Sequence, residues 1–191
     1  MMSAKSTPMP RNQHKGPSLI STIKDGPLRV LAFDPGFERL GAAVVEKVKG
    51  KDILIYSGCT HTPTPLPFPE RLTLLGKEAE RLIRVYKPHT IALEKVYFEK
   101  NAKTAMQIAE VVGMLTYIAT SKKCTLHCYT PLEVKVAVTG YGKSDKRAVA
   151  HMVGRLVALP ERKRLDDELD AIAIGLTCLA SIRYPHTPIS K

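Results

Sequence analysis

Tryptophan is absent from this 191-residue chain, and aromatic residues make up only 6% of it. A core built on stacked rings is thereby excluded, so the 44% of apolar residues must pack mainly as aliphatic side chains. Cysteine is scarce: Cys59, Cys124, Cys128 and Cys178, with no Cys-x-x-Cys pair among them. That count excludes a disulfide-stapled secreted scaffold. The run CTLHC does not carry a usual zinc spacing. On a strand, Cys124 and Cys128 would share one face and His127 the other, so the four cysteines read as buried free thiols in a reducing compartment. No stretch approaches the ~20 apolar residues that cross a bilayer, and no apolar segment near the start resembles a secretory signal.

Acidic residues are also in deficit. Twenty-nine basic against eighteen acidic side chains leave a formal charge of +11. Such a surface suits a polyanion, of which nucleic acid is the commonest soluble example, although charge does not separate DNA from RNA. Before Leu28 stand Lys5, Arg11, Lys15 and Lys24, opposed only by Asp25, among Ser and Pro. Residues 1–27 are expected to be a disordered basic arm, with organellar targeting left open. One domain is expected over residues 28–182, followed by a flexible tail at 183–191.

Apolar runs predict a strand from Leu28 through LRVLAF, then strands at Leu40–Glu46 and Asp52–Cys59 joined by a turn at Gly50 and Lys51. The loop TPTPLPFP delays regular structure to about Glu70, because each proline disfavours helix at the residue before it. Helical spacing of Leu72, Leu75, Ala79, Leu82 and Ile83 follows. Next come a strand at His89–Leu93, a helix at Asn101–Thr120 and a strand at Leu126–Tyr129. Helices are then expected near Leu132–Val138, Ser144–Leu156 and Leu165–Ile182. An opening meander followed by alternation implies an α/β fold, a mixed sheet with helices packed on it.

Four carboxylates stand out in this order of elements. Asp34 and Glu94 each close an apolar strand, and in open α/β sheets sites gather at the carboxyl ends of strands. In LDDELDAIAIGLTCLA, Asp167 and Asp170 lie three residues apart on one helical face. The helix beyond them is apolar almost all round and should be buried. A helix N-terminus accounts for Asp166, Asp167 and Glu168, but less well for Asp170, a turn further in. A divalent cation would compensate all four acids together. Hard oxygen ligands select Mg²⁺ or Mn²⁺ over zinc, and two such ions can activate water and stabilise the leaving oxygen of a phosphodiester.

At these residues the chain resembles the bacterial RuvC family of Holliday junction resolvases. The resemblance runs through VLAFDPGFERLGAAVV, IALEKVYFEKNAKTAMQIAEVVGML, YTPLEVKVAVTGYGKSDKRAVAHMV and DELDAIAIGLT, from about residue 30 to 177. It implies an RNase H-like fold, a three-strand meander plus parallel strands flanked by helices. It also implies a homodimer that nicks four-way DNA junctions in pairs during recombination and repair, with two Mg²⁺ ions (or Mn²⁺) per site. Asp34, Glu94, Asp167 and Asp170 match its metal-binding carboxylates. Lys146 matches one catalytic lysine and Lys135 the other. Tyr97, or Phe98 beside it, matches an aromatic placed against unpaired bases at the junction centre.

The resemblance further implies dimer contacts on the helix bearing Ala105, Ile108, Ala109, Val112 and Leu115, partnership with the RuvAB branch-migration motor, and a nucleoid-associated place in the bacterial cytoplasm. Residues 121 to 164 hold ten basic and three acidic side chains. Lys143, Arg147, Arg162, Lys163 and Arg164 are therefore expected among the contacts to DNA phosphates.

Two rival readings are weak. GYGKS resembles the end of a phosphate-binding loop, but Ala137 stands where that loop needs its first glycine. A non-catalytic junction-binding protein would not need all four acids and Lys146. A nuclease of the same fold acting on another branched or hybrid nucleic acid stays open.

Overall fold

Strand β1 (Leu28–Asp34) is buried on both faces from Val30 to Phe33, which is why that stretch is an unbroken apolar run rather than an alternating one. The computed structural model describes residues 27–95 and 102–182, so residues 1–26, Tyr97, Phe98 and the tail after Ile182 lie outside the described residues. On one side β1 pairs antiparallel with β2 (Arg39–Val48), which pairs antiparallel with β3 (Lys51–His61). On its other side it runs parallel to β4 (Thr90–Glu94), itself parallel to β5 (Thr125–Tyr129). The sheet order β3-β2-β1-β4-β5 is the expected meander plus parallel strands.

The period of two divides the sheet into two cores. Leu28, Val30 and Ala32 of β1 join Ala43 and Val45 of β2 under helices α3 (Pro131–Thr139), α4 (Lys146–Leu156) and α5 (Asp166–Ser181). Leu31 and Phe33 join Leu40, Ala42 and Val44 on the opposite face, against α1 (Phe68–Tyr86) and α2 (Ala102–Ser121). Helix α5 is buried continuously from Ala171 to Leu179. Its Ile172, Ile174 and Leu179 each contribute roughly 1.5–3 kcal/mol by leaving water.

Most expected boundaries fall within a few residues of those observed, and the departures have local causes. The β2–β3 hairpin turns at Lys49 and Gly50, both at positive φ, rather than at Gly50 and Lys51. Such a pair of left-handed residues matches the twist of the strands it joins. Helix α1 starts at Phe68, before Glu70, because Pro69 sits in its first turn, where a missing N–H costs no helical bond. Along α2 the expected stripe is only partly interior. Ala105 and Leu115 are buried, whereas Ile108, Ala109 and Val112 are half-buried, and Val111, Ile118 and Ala119 complete the core face. Of the cysteines only Cys178 is fully buried; Cys59, Cys124 and Cys128 are free but half-buried. Cys124 and Cys128 face the α1/α2 core as expected, while His127 stacks on Tyr129 across the sheet.

Candidate active site

Parallel pairing sets the site. Phe33 is in register with Leu93, so the next residues, Asp34 and Glu94, emerge side by side at the carboxyl ends of β1 and β4. Asp34 is in register with Gly41 on its other flank. The first turn of α5 lies over that glycine so closely that a Cβ on Gly41 would come within 2.0 Å of the Asp167 carbonyl oxygen. Three elements thereby bring Asp34, Glu94, Asp167 and Asp170 to one edge of the sheet.

Burial and crowding together shift the acidity of Asp34 and Glu94. Burial, followed by the charges of Asp170, Glu94 and Asp167, pushes Asp34 up to about 7. Burial and Asp170 raise Glu94 as well, against the opposing pull of Lys146 and Lys135. Lys146, the first residue of α4, donates from Nζ to Oδ2 of Asp170 at 3.0 Å. That hydrogen bond is the main reason its ammonium is held above the ordinary lysine value. Oδ2 of Asp167 is enclosed and accepts no hydrogen bond; Nε of Arg39 stands 3.4 Å from it.

Four carboxylates thus face a cation on Lys146 and another on Arg39, which leaves negative charge in excess. An all-oxygen donor set, an enclosed carboxylate oxygen without a hydrogen bond, and an aspartate driven towards neutrality fit a hard divalent cation. Among the described residues, no three His, Cys, Asp or Glu side chains already close around a common point. Asp170 is turned to Lys146, and the carboxyl oxygen of Asp167 nearest a cation is turned to Arg39.

Of the expected nucleic-acid contacts, Lys143 and Arg147 are exposed, at the turn before α4 and on its first turn. Lys135 on α3 is half-buried and lies near enough to Glu94 to influence its acidity. Tyr97 and Phe98 lie outside the described residues.

Arg162 departs from expectation. Its guanidinium turns inward, with Nη2 donating to Oε2 of Glu168 at 2.6 Å, to the Ser57 carbonyl at 3.0 Å and to Ser57 Oγ at 2.9 Å. Glu168 is only 6% exposed, and a buried carboxylate without a partner would be costly. The demand of Glu168 therefore outweighs phosphate binding for Arg162. Arg164 also folds back, donating to the Pro160 carbonyl at 2.9 Å. This clamp ties the segment before α5, the first turn of α5 and β3 together beside Asp167. Sequence reading missed it, as it missed Arg39 and Gly41. The only available signal for it was a glutamate at the buried end of an apolar helix.

Comparison with known proteins agrees with this fold. The family model described as crossover junction endodeoxyribonuclease RuvC matches residues 30–178. A RuvC of Desulfitobacterium hafniense is 36% identical over 147 residues, covering 77% of this chain and 89% of that protein. One of Fusobacterium nucleatum is 32% identical over 155 residues, covering 81% and 82%. Among solved structures, T. thermophilus RuvC in complex with Holliday junction substrate superimposes with a TM-score of 0.73 at 28% identity, covering 78% of this chain and 92% of that one. The yeast mitochondrial Holliday junction resolvase Ydc2 shares the fold alone, with a TM-score of 0.61 at 16% identity over 78% and 76%. On the family match and the relatives together, the chain belongs to the RuvC family of crossover junction endodeoxyribonucleases.

Proposed function

We propose that Asp34, Glu94, Asp167 and Asp170 are the metal-binding centre with which this chain hydrolyses phosphodiesters in four-way (Holliday) DNA junctions. The observation that carries this reading is the convergence of four acids from three elements, where burial and then the neighbouring carboxylates push Asp34 up to about 7. Family membership supplies the substrate and the dependence on metal. When bound, Mg²⁺ or Mn²⁺, two ions per site, supplies an activated water and neutralises the leaving oxygen.

The chain's own residues do the rest. The sheet carries Asp34 and Glu94 and the first turns of α5 carry Asp167 and Asp170, so the backbone positions are set, while the Asp170 and Asp167 carboxylates must turn from Lys146 and Arg39 to take up a cation. The Lys146 side chain is 72% exposed and can exchange Asp170 for a phosphate oxygen, steadying charge as the P–O bond breaks. Lys135 approaches from the Glu94 side and adds to that field. Lys143 and Arg147 bind phosphates of the arms, and Tyr97 or Phe98 meets unpaired bases at the junction centre. The protein acts as a homodimer, the half-buried Ile108, Ala109 and Val112 of α2 supplying part of the contact, because a two-fold dimer matches a two-fold substrate. It works with the RuvAB motor in the bacterial cytoplasm; no helix among the described residues is long and apolar enough to cross a membrane.

The test is substrate choice. Purified protein in Mg²⁺ is given a labelled four-way junction, a linear duplex and an RNA–DNA hybrid. Paired nicks confined to the junction are expected. Preferential cutting of the hybrid would assign the chain to another nuclease activity of this fold. Tight junction binding with no cutting in Mg²⁺ or Mn²⁺ would leave a binding protein.

A further inference from the structure

The segment between α3 and α4 presents an aromatic ring on a pinned loop. Tyr141 is 60% exposed, and beside it Leu132 and Val136, one turn apart on α3, are 60% and 48% exposed. The loop lies against these two side chains, because Gly142, the residue after Tyr141, is seated directly on Leu132 and Val136. A ring so exposed normally gains nothing from being held still, yet this loop is held. The Thr139 hydroxyl has one proton to give to the Lys135 carbonyl at 2.7 Å or the Tyr141 carbonyl at 3.0 Å, pairs with Ser144 Oγ at 2.7 Å, and accepts from the Tyr141 amide at 3.1 Å. The Ser144 amide closes the turn on the Tyr141 carbonyl at 3.2 Å.

The surroundings select the occupant. Lys143 lies two residues beyond the ring, and Lys146 and Arg147 follow on α4, all exposed. The acids nearby are already engaged: Asp145 caps α4 through the Ala148 amide, and Glu133 closes a capping box with Thr130. A flat apolar face rimmed by cations without a free anion matches a nucleotide, base or sugar on the ring and phosphate on the lysine. Tyr141 and Lys146 are five chain steps apart. At full extension they span on the order of 17 Å, and less through a turn, so the ring reaches a nucleotide within about five steps of the scissile phosphate.

We infer that Tyr141 is a nucleotide-stacking residue on the pinned loop between α3 and α4, gripping the junction strand beside the cut, with Lys143 on the adjoining phosphate. The inference rests on the junction-cutting function proposed above. It assigns to the loop a contact that is aromatic rather than ionic, and therefore insensitive to salt.

The experiment uses the full chain and a synthetic four-way junction carrying 2-aminopurine, placed in turn at each of the five nucleotides on either side of the cut. Affinity is measured across salt concentrations for the parent, Tyr141→Ala, Tyr141→Phe and Lys143→Ala, each with thermal melting as a check on folding. Tyr141→Ala is expected to bind about 5- to 150-fold more weakly, the range for one lost base–aromatic stack. It should keep the parent's salt slope and lose the 2-aminopurine quenching at one position. Tyr141→Phe should retain both affinity and quenching, and Lys143→Ala should lower the salt slope by about one. Tyr141→Ala with parental affinity and quenching would overturn the inference while leaving the enzyme's function intact. The same result with a changed mass in solution would overturn it in favour of a contact between copies of the chain. A parent that neither binds nor cuts the junction would remove the function and the inference together.

Discussion

Gly41 lies beneath the Asp167 carbonyl with no room for a side chain, a Cβ there falling 2.0 Å from that oxygen. The pair sets how close the first turn of α5 comes to the end of β1, because Gly41 is in register with Asp34. The oxygen belongs to backbone, so relief requires the helix itself to shift. Gly41→Ala is expected to destabilise the protein by about 1–3 kcal/mol and to reduce cleavage further than that loss of folding explains. Thermal melting alongside junction cleavage at a temperature where both proteins are folded separates the two effects. Parental activity in a normally folded variant would show that the approach of α5 does not set the site.

The acidity of Asp34 gives a pH signature with a definite sign. Its folded pKa of about 7 lies above the ordinary 3.8, so the folded state binds the proton more tightly than the unfolded chain. Metal-free protein should therefore lose stability as pH rises from about 4 to about 7, and Asp34→Asn should flatten that decline. Cation binding must displace the same proton, so affinity for Mn²⁺ should fall as pH drops below 7. Melting curves of metal-free protein and Mn²⁺ titrations, both against pH, check the two halves. A metal-free stability that rises through this window would contradict the assignment.

Glu168 behaves in the opposite sense. Burial raises its pKa, but hydrogen bonds from Arg162 and Ser57 outweigh burial and leave it below the ordinary glutamate value. Its contribution is present above about pH 4.5 and is lost as pH falls through the lower folded value. Arg162→Ala strands a buried carboxylate, a loss of about 3–5 kcal/mol in a fully buried pair. The Arg162 side chain is 42% exposed, so about 1–3 kcal/mol is expected here. Chemical denaturation at pH 7 reads that loss. A stability unchanged within error would show that water replaces the arginine.

The basic residues should separate into two groups. Lys146→Ala is expected to lower the cleavage rate about 10²–10³-fold with junction affinity nearly kept. Arg147→Ala should weaken binding and reduce its salt dependence by about one counterion while leaving the rate on saturated junction close to normal. Single-turnover cleavage and salt-dependent affinity distinguish them. Equal effects of both substitutions on binding alone would deny Lys146 a role at the reacting phosphate.

Much of this arrangement is legible without coordinates, for a physical reason. The apolar runs ending at Asp34 and Glu94 mark strands buried on both faces, and the continuous apolar stretch after Asp170 marks a helix with no wet side. Local periodicity therefore places all four acids at element ends. What periodicity does not carry is the distance between elements. Gly41 is an ordinary strand residue until α5 is laid across it, and Arg39 is an exposed cation at the start of β2 until Asp167 comes alongside. Arg162 shows the same limit most clearly. In sequence it belongs to a basic run, and only the fold brings it to the buried Glu168, 6 residues later in the chain. Charge counted along a chain gives a partner's sign and not the direction in which each side chain turns.

The most direct test of the central claim is cleavage of a labelled four-way junction in Mg²⁺ by the parent, Asp34→Asn and Asp170→Asn, with junction binding measured for all three. Paired nicks by the parent, abolished by chelation and by either substitution while binding persists, are the predicted result. Undiminished nicking by Asp34→Asn and Asp170→Asn would place the catalytic centre elsewhere and contradict the account.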